Sequence, residues 1–294
     1  MMTCRVPWDL AHCTMRSFCA PLLAALSACA PAAPIPQVTN AAPVQTQNEV
    51  GLEQAPPEIV EIGESIFKAE TEATLPKLVQ FTRSGLEFTA VSFDSKGFTL
   101  KVADQLGGPG AKFSDARGAS DSLKGLAAIN AGFFTPEGDP LGFLYTEGKK
   151  RGSLNRSSLG SGVFQVKNGK ASLVRRQVFK PKGVTEALQS GPFLLHDGKV
   201  IGGLSQKRPR DRSILLTDGG SNWAIAQTSP TTLRQLADVL DGAQIDGWKV
   251  RQALNLDGGR SCDLYISGEI SGQPISERSF IAKPVRNFLV LVRK

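Results

Sequence analysis

Ala253-Leu-Asn-Leu-Asp-Gly-Gly-Arg-Ser-Cys-Asp-Leu-Tyr265 packs an apolar run, a sharp turn and a second apolar start into one short stretch. Ala253–Leu256 reads as a short buried strand, and Tyr265 and Ile266 begin another. Between them Asp257-Gly258-Gly259 must turn, and the two glycines permit backbone angles that a Cβ forbids. Asp-Gly is a common hairpin signal, so the plain reading pairs the two strands across a tight turn. The other reading holds the Asp257 carboxylate at a strand end, beside bare backbone at Gly258 and Gly259 that a ligand can approach. Arg260 and Ser261 then add a cation and a hydroxyl.

Outward from that stretch, strand signals dominate. Leu86–Phe93 carries alternating apolar positions, and Asp94-Ser-Lys-Gly97 turns into Phe98–Val102, which predicts a hairpin. Gly107–Gly118 reads as loop, and Leu126–Ile129 as a small strand running into Asn130-Ala-Gly-Phe-Phe134. Gly162–Val166 and Ala171–Val174 flank Asn168-Gly169, a strong two-residue hairpin signal. Ala187–Leu195 predicts a strand that turns at Asp197-Gly198 into Lys199–Ile201, with Gln189-Ser-Gly-Pro192 marking an edge or a bulge within it. Ser213–Leu216 and Trp223–Ala226 flank a further turn. Thr231–Leu240 is the clear helix: Leu233, Leu236, Ala237 and Leu240 share one face, and Ser229 or Thr231 supplies a cap. Val285–Val292 closes the sheet. Many hairpins with a helix or two predict an α+β fold, a single domain of mixed or antiparallel sheet over residues 59–294.

The N-terminus reads differently. Arg16 precedes an apolar run, Phe18–Leu26, ending Leu26-Ser-Ala-Cys29. A cation, a short apolar core and small residues make a secretory signal over residues 1–28, too short for a stable membrane span. Its last four residues resemble a bacterial lipobox, in which Cys29 is acylated; the plainer alternative is an ordinary signal with a chance cysteine. Met15 offers an alternative start. Residues 29–58, rich in Pro, Ala, Gln and Thr, read as a disordered tether, and Ile59–Ala73 as a short acidic helix. The expected location is the bacterial cell envelope, with the N-terminal lipid as membrane anchor.

Only Cys262 lies beyond the expected acylation point, so no intramolecular disulfide is available and stability falls to an apolar core. The formal charge of +7 is unevenly placed: residues 49–72 hold seven acids against Lys68, whereas residues 73–294 hold 31 Lys/Arg against 19 Asp/Glu. That excess favours anionic partners such as phosphorylated sugars or anionic envelope glycans. Nucleic acid is set aside because no nucleic-acid fold signature is present. The sequence shows no dinucleotide fingerprint or phosphate loop and implies no cofactor. A hard divalent cation held by carboxylates and carbonyls leaves no spacing signature and stays open. Oligomeric state is not encoded in any motif.

Taken in order, Asn130-Ala-Gly-Phe-Phe134, Gln189-Ser-Gly-Pro192 with Asp197-Gly198, Arg212 opening a strand, the helix from Thr231, Asn255-Leu-Asp-Gly-Gly-x-Ser261 and Val285-Arg-Asn287 resemble the phosphodiester glycosidase domain family. The resemblance covers roughly residues 85–294 and implies hydrolysis of a glycosyl–phosphate bond. Two positions depart from the family's commoner pattern, Arg260 after the glycines and Cys262 in place of a second serine. On this resemblance Asp257 is the carboxylate that attacks or stabilises the oxocarbenium-like carbon. Arg212 receives phosphate charge with help from Arg210 or Arg260. Asn130, Ser190 and Ser261 hydrogen-bond sugar hydroxyls or phosphate oxygens, with Gln189, Gly191, Gly258, Gly259 and Phe133 lining the site. A phosphate ester leaves readily, so the second carboxylic acid of most glycosidases is less necessary.

Three bland readings stand beside these: an Asx turn for Asp257, a surface ion pair with Asp211 or Asp218 for Arg212, and a core position for Phe133. A hydrolase using Cys262 or Ser261 with His196 is a competing chemistry, and a non-catalytic lipoprotein that binds envelope glycan is a competing function.

Overall fold

The computed structural model describes residues 74–294. The signal segment, Cys29, the tether and the acidic helix expected over Ile59–Ala73 lie outside the described residues. Three sheets and a small two-stranded hairpin (Gln244–Ile245, Trp248–Lys249) make up the domain. Every strand pairing is antiparallel. The first sheet runs Lys77–Arg83, Leu86–Asp94, Asn222–Thr231, Arg210–Thr217, Gln252–Asn255, Phe193–His196, Lys199–Val200. The second runs Ile275–Arg278, Asp263–Ile266, Ala127–Asn130, Asn287–Arg293, Phe98–Asp104. The third runs Lys149–Arg151, Leu144–Thr146, Val184–Ser190, Gly162–Lys167, Lys170–Arg175.

With α-helix confined to Ala116–Ser122, Leu233–Leu240 and Gly268–Ser271 among the described residues, the fold is mainly β rather than the expected α+β. None of these helices is long and apolar enough to cross a membrane.

One apolar core joins all three sheets: Val91, Leu215, Trp223 and Leu254 from the first, Leu100, Ile129, Leu264 and Leu289 from the second, Phe164 and Leu188 from the third. The other face of the first sheet is covered too. There Ile214, Leu216 and Ala224 meet Leu236, Ala237 and Leu240 of the Leu233–Leu240 helix. Burial on both faces explains why Ile214–Leu216 reads as an unbroken apolar run and why Asn255 is the one polar residue within Ala253–Leu256. Thr232, rather than Ser229 or Thr231, caps the helix by accepting from the Gln235 amide.

The turns behave less simply. Asn168-Gly169 makes the expected hairpin. Leu86–Asp94 and Phe98–Asp104 do not pair with each other; the chain passes from the first sheet to the second between them, and the hairpin partner of Leu86–Asp94 is Lys77–Arg83. Ala187–Leu195 is not one strand, because at Gly191-Pro192 the chain leaves the middle of the third sheet and enters the first. Gly107–Gly118 ends in a helix start at Ala116, capped by the Asp115 side chain. The last strand, Asn287–Arg293, lies inside the second sheet, not at its boundary. The strands on either side of Asp257 also belong to different sheets, so the hairpin reading of the opening stretch is overturned.

Candidate active site

Asp257 sits where the chain crosses from the first sheet to the second. The Leu256 amide still pairs with the Ser213 carbonyl of the first sheet (2.9 Å), but the Asp257 amide pairs with Ala131, just past the end of Ala127–Asn130 (2.8 Å). Asn130 Nδ2 donates to the Asp257 carbonyl at 2.6 Å. The turn that follows depends on its glycines. A Cβ on Gly258 would lie 2.9 Å from the Asp211 carbonyl, and Gly259 has φ +64°. The Gly258 amide donates back to Asp257 Oδ1 at 3.0 Å.

Several cations gather around this turn, with Asp211 between two of them. Arg212 is 9% exposed; its Nε donates to the Thr231 carbonyl (3.1 Å), and its Nη1 lies 3.8 Å from where a Gly258 Cβ would be. The exposed Arg210 reaches the Gly259 turn, with its Cδ 3.3 Å from the corresponding Cβ position. Lys283 was not anticipated. Its Nζ lies 4.6 Å over the Phe134 ring, and its amide donates to the Arg260 carbonyl at 3.0 Å. Among the described residues, Arg210, Arg212, Arg260 and Lys283 form no salt bridge.

Burial pushes the Asp257 carboxyl above its ordinary value, against the opposing pulls of Ser261, Lys283, the Gly258 amide and Arg210. Burial also lowers the Arg212 value, the Cys262 thiol opposes it, and Arg210 adds to the lowering. Ser261 Oγ is buried beside Asp257 without a well-formed hydrogen bond.

Several expected ligand contacts are instead internal braces. Asn130 is fully buried: its Oδ1 accepts from Ser213 Oγ (2.5 Å) and from the Asp263 amide (3.1 Å), while Nδ2 holds Asp257. It ties three segments together and faces no solvent. Gln189 has both side-chain atoms doubly engaged, Oε1 by the amides of Phe143 and Asn155, Nε2 on the carbonyls of Asn155 and Gly160. Buried Ser190 donates to the Asn255 carbonyl (3.0 Å), and the Gly191 carbonyl accepts from Asn255 Nδ2 (3.0 Å). Ser190 and Gly191 therefore brace the strand that leads to Asp257, while Gln189 ties Phe143, Asn155 and Gly160 together. Arg260 turns to the Ile281 carbonyl through Nε (3.0 Å). Phe133 is half-buried and its carbonyl accepts from the Leu141 amide; Phe134 is the ring that meets a cation. Asn287 completes the frame by accepting from the Gly132 amide at 2.6 Å.

Of the predicted set, Asp257, Arg212, Arg210, Gly258, Gly259 and Ser261 come together, with Asn130 directly behind. No turn signal or periodicity distinguishes Lys283 from the other lysines, so sequence reasoning had no means of finding it. The Cys262 chemistry loses its basis. The thiol is buried, pushed up to about 12 by that burial, and lies 3.5 Å from Ser213 Oγ, while His196 pairs with Asp197. Among the described residues no group of three His, Cys, Asp or Glu side chains is arranged to hold a metal. A cavity of about 480 Å³ opens beside Asp211, lined by Thr89, Gln227, Glu277 and Arg278 among others.

A family model described as phosphodiester glycosidase matches residues 124–292, more than half of the chain. The solved catalytic domain of zebrafish N-acetylglucosamine-1-phosphodiester alpha-N-acetylglucosaminidase, auto-inhibited by its pro-peptide, is similar in fold: TM-score 0.54, 14% identity, 75% of this chain and 83% of that one. An exported protein of Burkholderia pseudomallei, described as putative, is similar at TM-score 0.50 and 13% identity, over 70% of this chain and 74% of that one. No curated protein sequence matches significantly.

Proposed function

This chain belongs to the phosphodiester glycosidase family, and on that premise we propose that it hydrolyses the glycosyl–phosphate bond of a sugar 1-phosphodiester in the bacterial cell envelope. The observation that carries this reading is a half-buried carboxylate, Asp257, bordered by cations that, among the described residues, form no salt bridge. Water adds across the C1–O bond, giving the free sugar and a phosphate monoester. Ionised Asp257 stabilises or attacks the electron-poor C1. Arg210, Arg212 and Lys283 take up the negative charge that the departing phosphate gains. Gly258 and Gly259 let the turn pack closely against Asp211 and Arg210, and Ser261 offers a hydroxyl beside the carboxylate. Asn130, Gln189, Ser190 and Asn287 act as positioning residues.

Export is supported by the N-terminal signal pattern and by the similarity to an exported Burkholderia protein. Membrane attachment through Cys29 belongs to the same proposal. The decisive experiment incubates catalytic amounts of the full chain with N-acetylglucosamine 1-(methyl phosphate) and measures released sugar. Repeated turnover that disappears in Asp257→Asn supports hydrolysis; stoichiometric binding without release assigns the chain to a glycan-binding role instead.

A further inference from the structure

Residues 279–284 follow the Ile275–Arg278 strand and hold the only adjacent pair of exposed large hydrophobics among the described residues: Phe280 is 105% exposed and Ile281 60%. Other exposed apolar side chains, such as Leu106 and Val178, are scattered singly. This loop is built, not loose. The Ala282 amide closes a turn on the Ser279 carbonyl (2.9 Å), and the Val285 carbonyl beyond it is held by Gln105 Nε2 (2.8 Å). Arg260 then staples it to the Asp257 turn at two points: Arg260 Nε donates to the Ile281 carbonyl, and the Lys283 amide donates to the Arg260 carbonyl, both at 3.0 Å. The same loop thus presents Lys283 over the Phe134 ring and carries Phe280 and Ile281 outward.

We propose that residues 279–284 form the subsite for the far side of the phosphodiester, and that this subsite takes an apolar alcohol of the alkyl or prenyl type. The proposal rests on the reading of the Asp257 turn as the site of glycosyl–phosphate cleavage. With the sugar at Asp257 and the phosphate among Lys283, Arg212 and Arg210, the loop that carries Lys283 lies beside the phosphate and borders its second ester group. The next surface it meets is apolar at its tip and cationic at its base, which matches a phosphate carrying a hydrocarbon chain. Arg260, which departs from the family's commoner residue, is a positioning residue here: it fixes the loop and binds no substrate atom itself.

Titration calorimetry of the full chain with octyl phosphate and with methyl phosphate tests the subsite without requiring turnover. Octyl phosphate is expected to bind about tenfold more tightly, because even partial burial of a few methylenes supplies that factor. The double variant Phe280→Ser/Ile281→Ser erases the preference and leaves methyl phosphate binding unchanged. Lys283→Met weakens both ligands alike, and Arg260→Gly, which releases the staple, weakens both and flattens the preference, with Arg260→Lys restoring part of it. Equal affinity for the two phosphates overturns the proposal, and so does loss of methyl phosphate binding in the tip variant. Vesicles of anionic phospholipid provide a third arm: tip-dependent vesicle binding with no octyl preference assigns the tip to a membrane surface and also overturns the subsite. Sugar release from N-acetylglucosamine 1-(methyl phosphate) is followed in parallel. An intact octyl preference with no release removes the hydrolase reading and leaves the subsite standing.

Discussion

Two carboxylates in this molecule, Asp104 with its side chain buried and Asp257 half-buried, live in opposite circumstances. Asp104, at the end of the second sheet, is gripped by two guanidiniums: Arg286 at 2.7 and 3.2 Å, and Arg151 at 2.8 Å. Arg286 completes its own bonding on the Gly138 carbonyl. Asp257 has as many cations in its neighbourhood, yet none forms a salt bridge with it. A carboxylate whose charge is fully matched has nothing left for a ligand and serves the fold. One left short of partners, facing cations that are themselves unmatched, keeps its field available for a substrate that brings both an electron-poor carbon and an anion.

The contrast can be broken most sharply at Asp257. Asp257→Asn keeps an acceptor for the Gly258 amide while removing the charge, so sugar release is expected to fall by about a thousandfold with the melting temperature unchanged or higher. Wild-type turnover in that variant would erase the distinction between the two sites. Arg286→Met attacks the other carboxylate and is expected to cost about 3 kcal/mol of stability in urea unfolding, since it strips a partner from a buried charge. Activity per folded molecule should survive; a primary loss of kcat would mean that the structural cluster reaches into the chemistry.

Smaller effects sharpen the picture. Arg210→Met removes one exposed cation beside the Asp257 turn, and kcat/KM on a sugar 1-phosphodiester should drop about tenfold. The loss should shrink as ionic strength rises. A third carboxylate, Asp263, gives the mildest test. Burial pushes it up to about 6, against the pull of Arg278 at 3.3 Å and the Ala116 amide. Its folded-state value lies above its unfolded one, so folding holds the proton more tightly. The stability it contributes is therefore complete below about pH 4 and declines as pH rises toward 6. Asp263→Asn should flatten that part of the stability profile. For Asp257 the shift has the same direction, so the acid limb of activity should lie above the ordinary carboxylate range, because the ionised form is lost as pH falls through the raised value.

Much of the secondary structure was legible because it rests on local chemistry. Asn168-Gly169 demands a tight reversal, and the spacing of Leu233, Leu236, Ala237 and Leu240 demands a helix with one buried face. Partner choice was not legible. Asp94–Gly97 and Asp257–Gly259 both carry turn residues, yet each sends the chain into a different sheet, because packing across the shared core decides which neighbour a strand joins. Lys77–Arg83 escaped notice for another reason: it is an edge strand, largely exposed, whose alternation is limited to Val79 and Phe81. For the site, the carboxylate, its glycines and Arg212 were readable as types in a pattern. Asn130, Gln189 and Ser190 carried the same polar signature, and only their burial and completed bonding separate bracing from binding. Lys283 arrives from a loop whose position depends on Arg260.

The link between Asp257 and the neighbouring sheet has a consequence for dissection of this protein. Its amide rests on Ala131 and its carbonyl on Asn130, more than a hundred residues upstream. Neither portion of a chain cut between them carries a usable centre. Two such fragments, produced separately, should be inert alone and regain turnover only on reassociation, so activity would serve as a direct gauge of whether the halves have found each other.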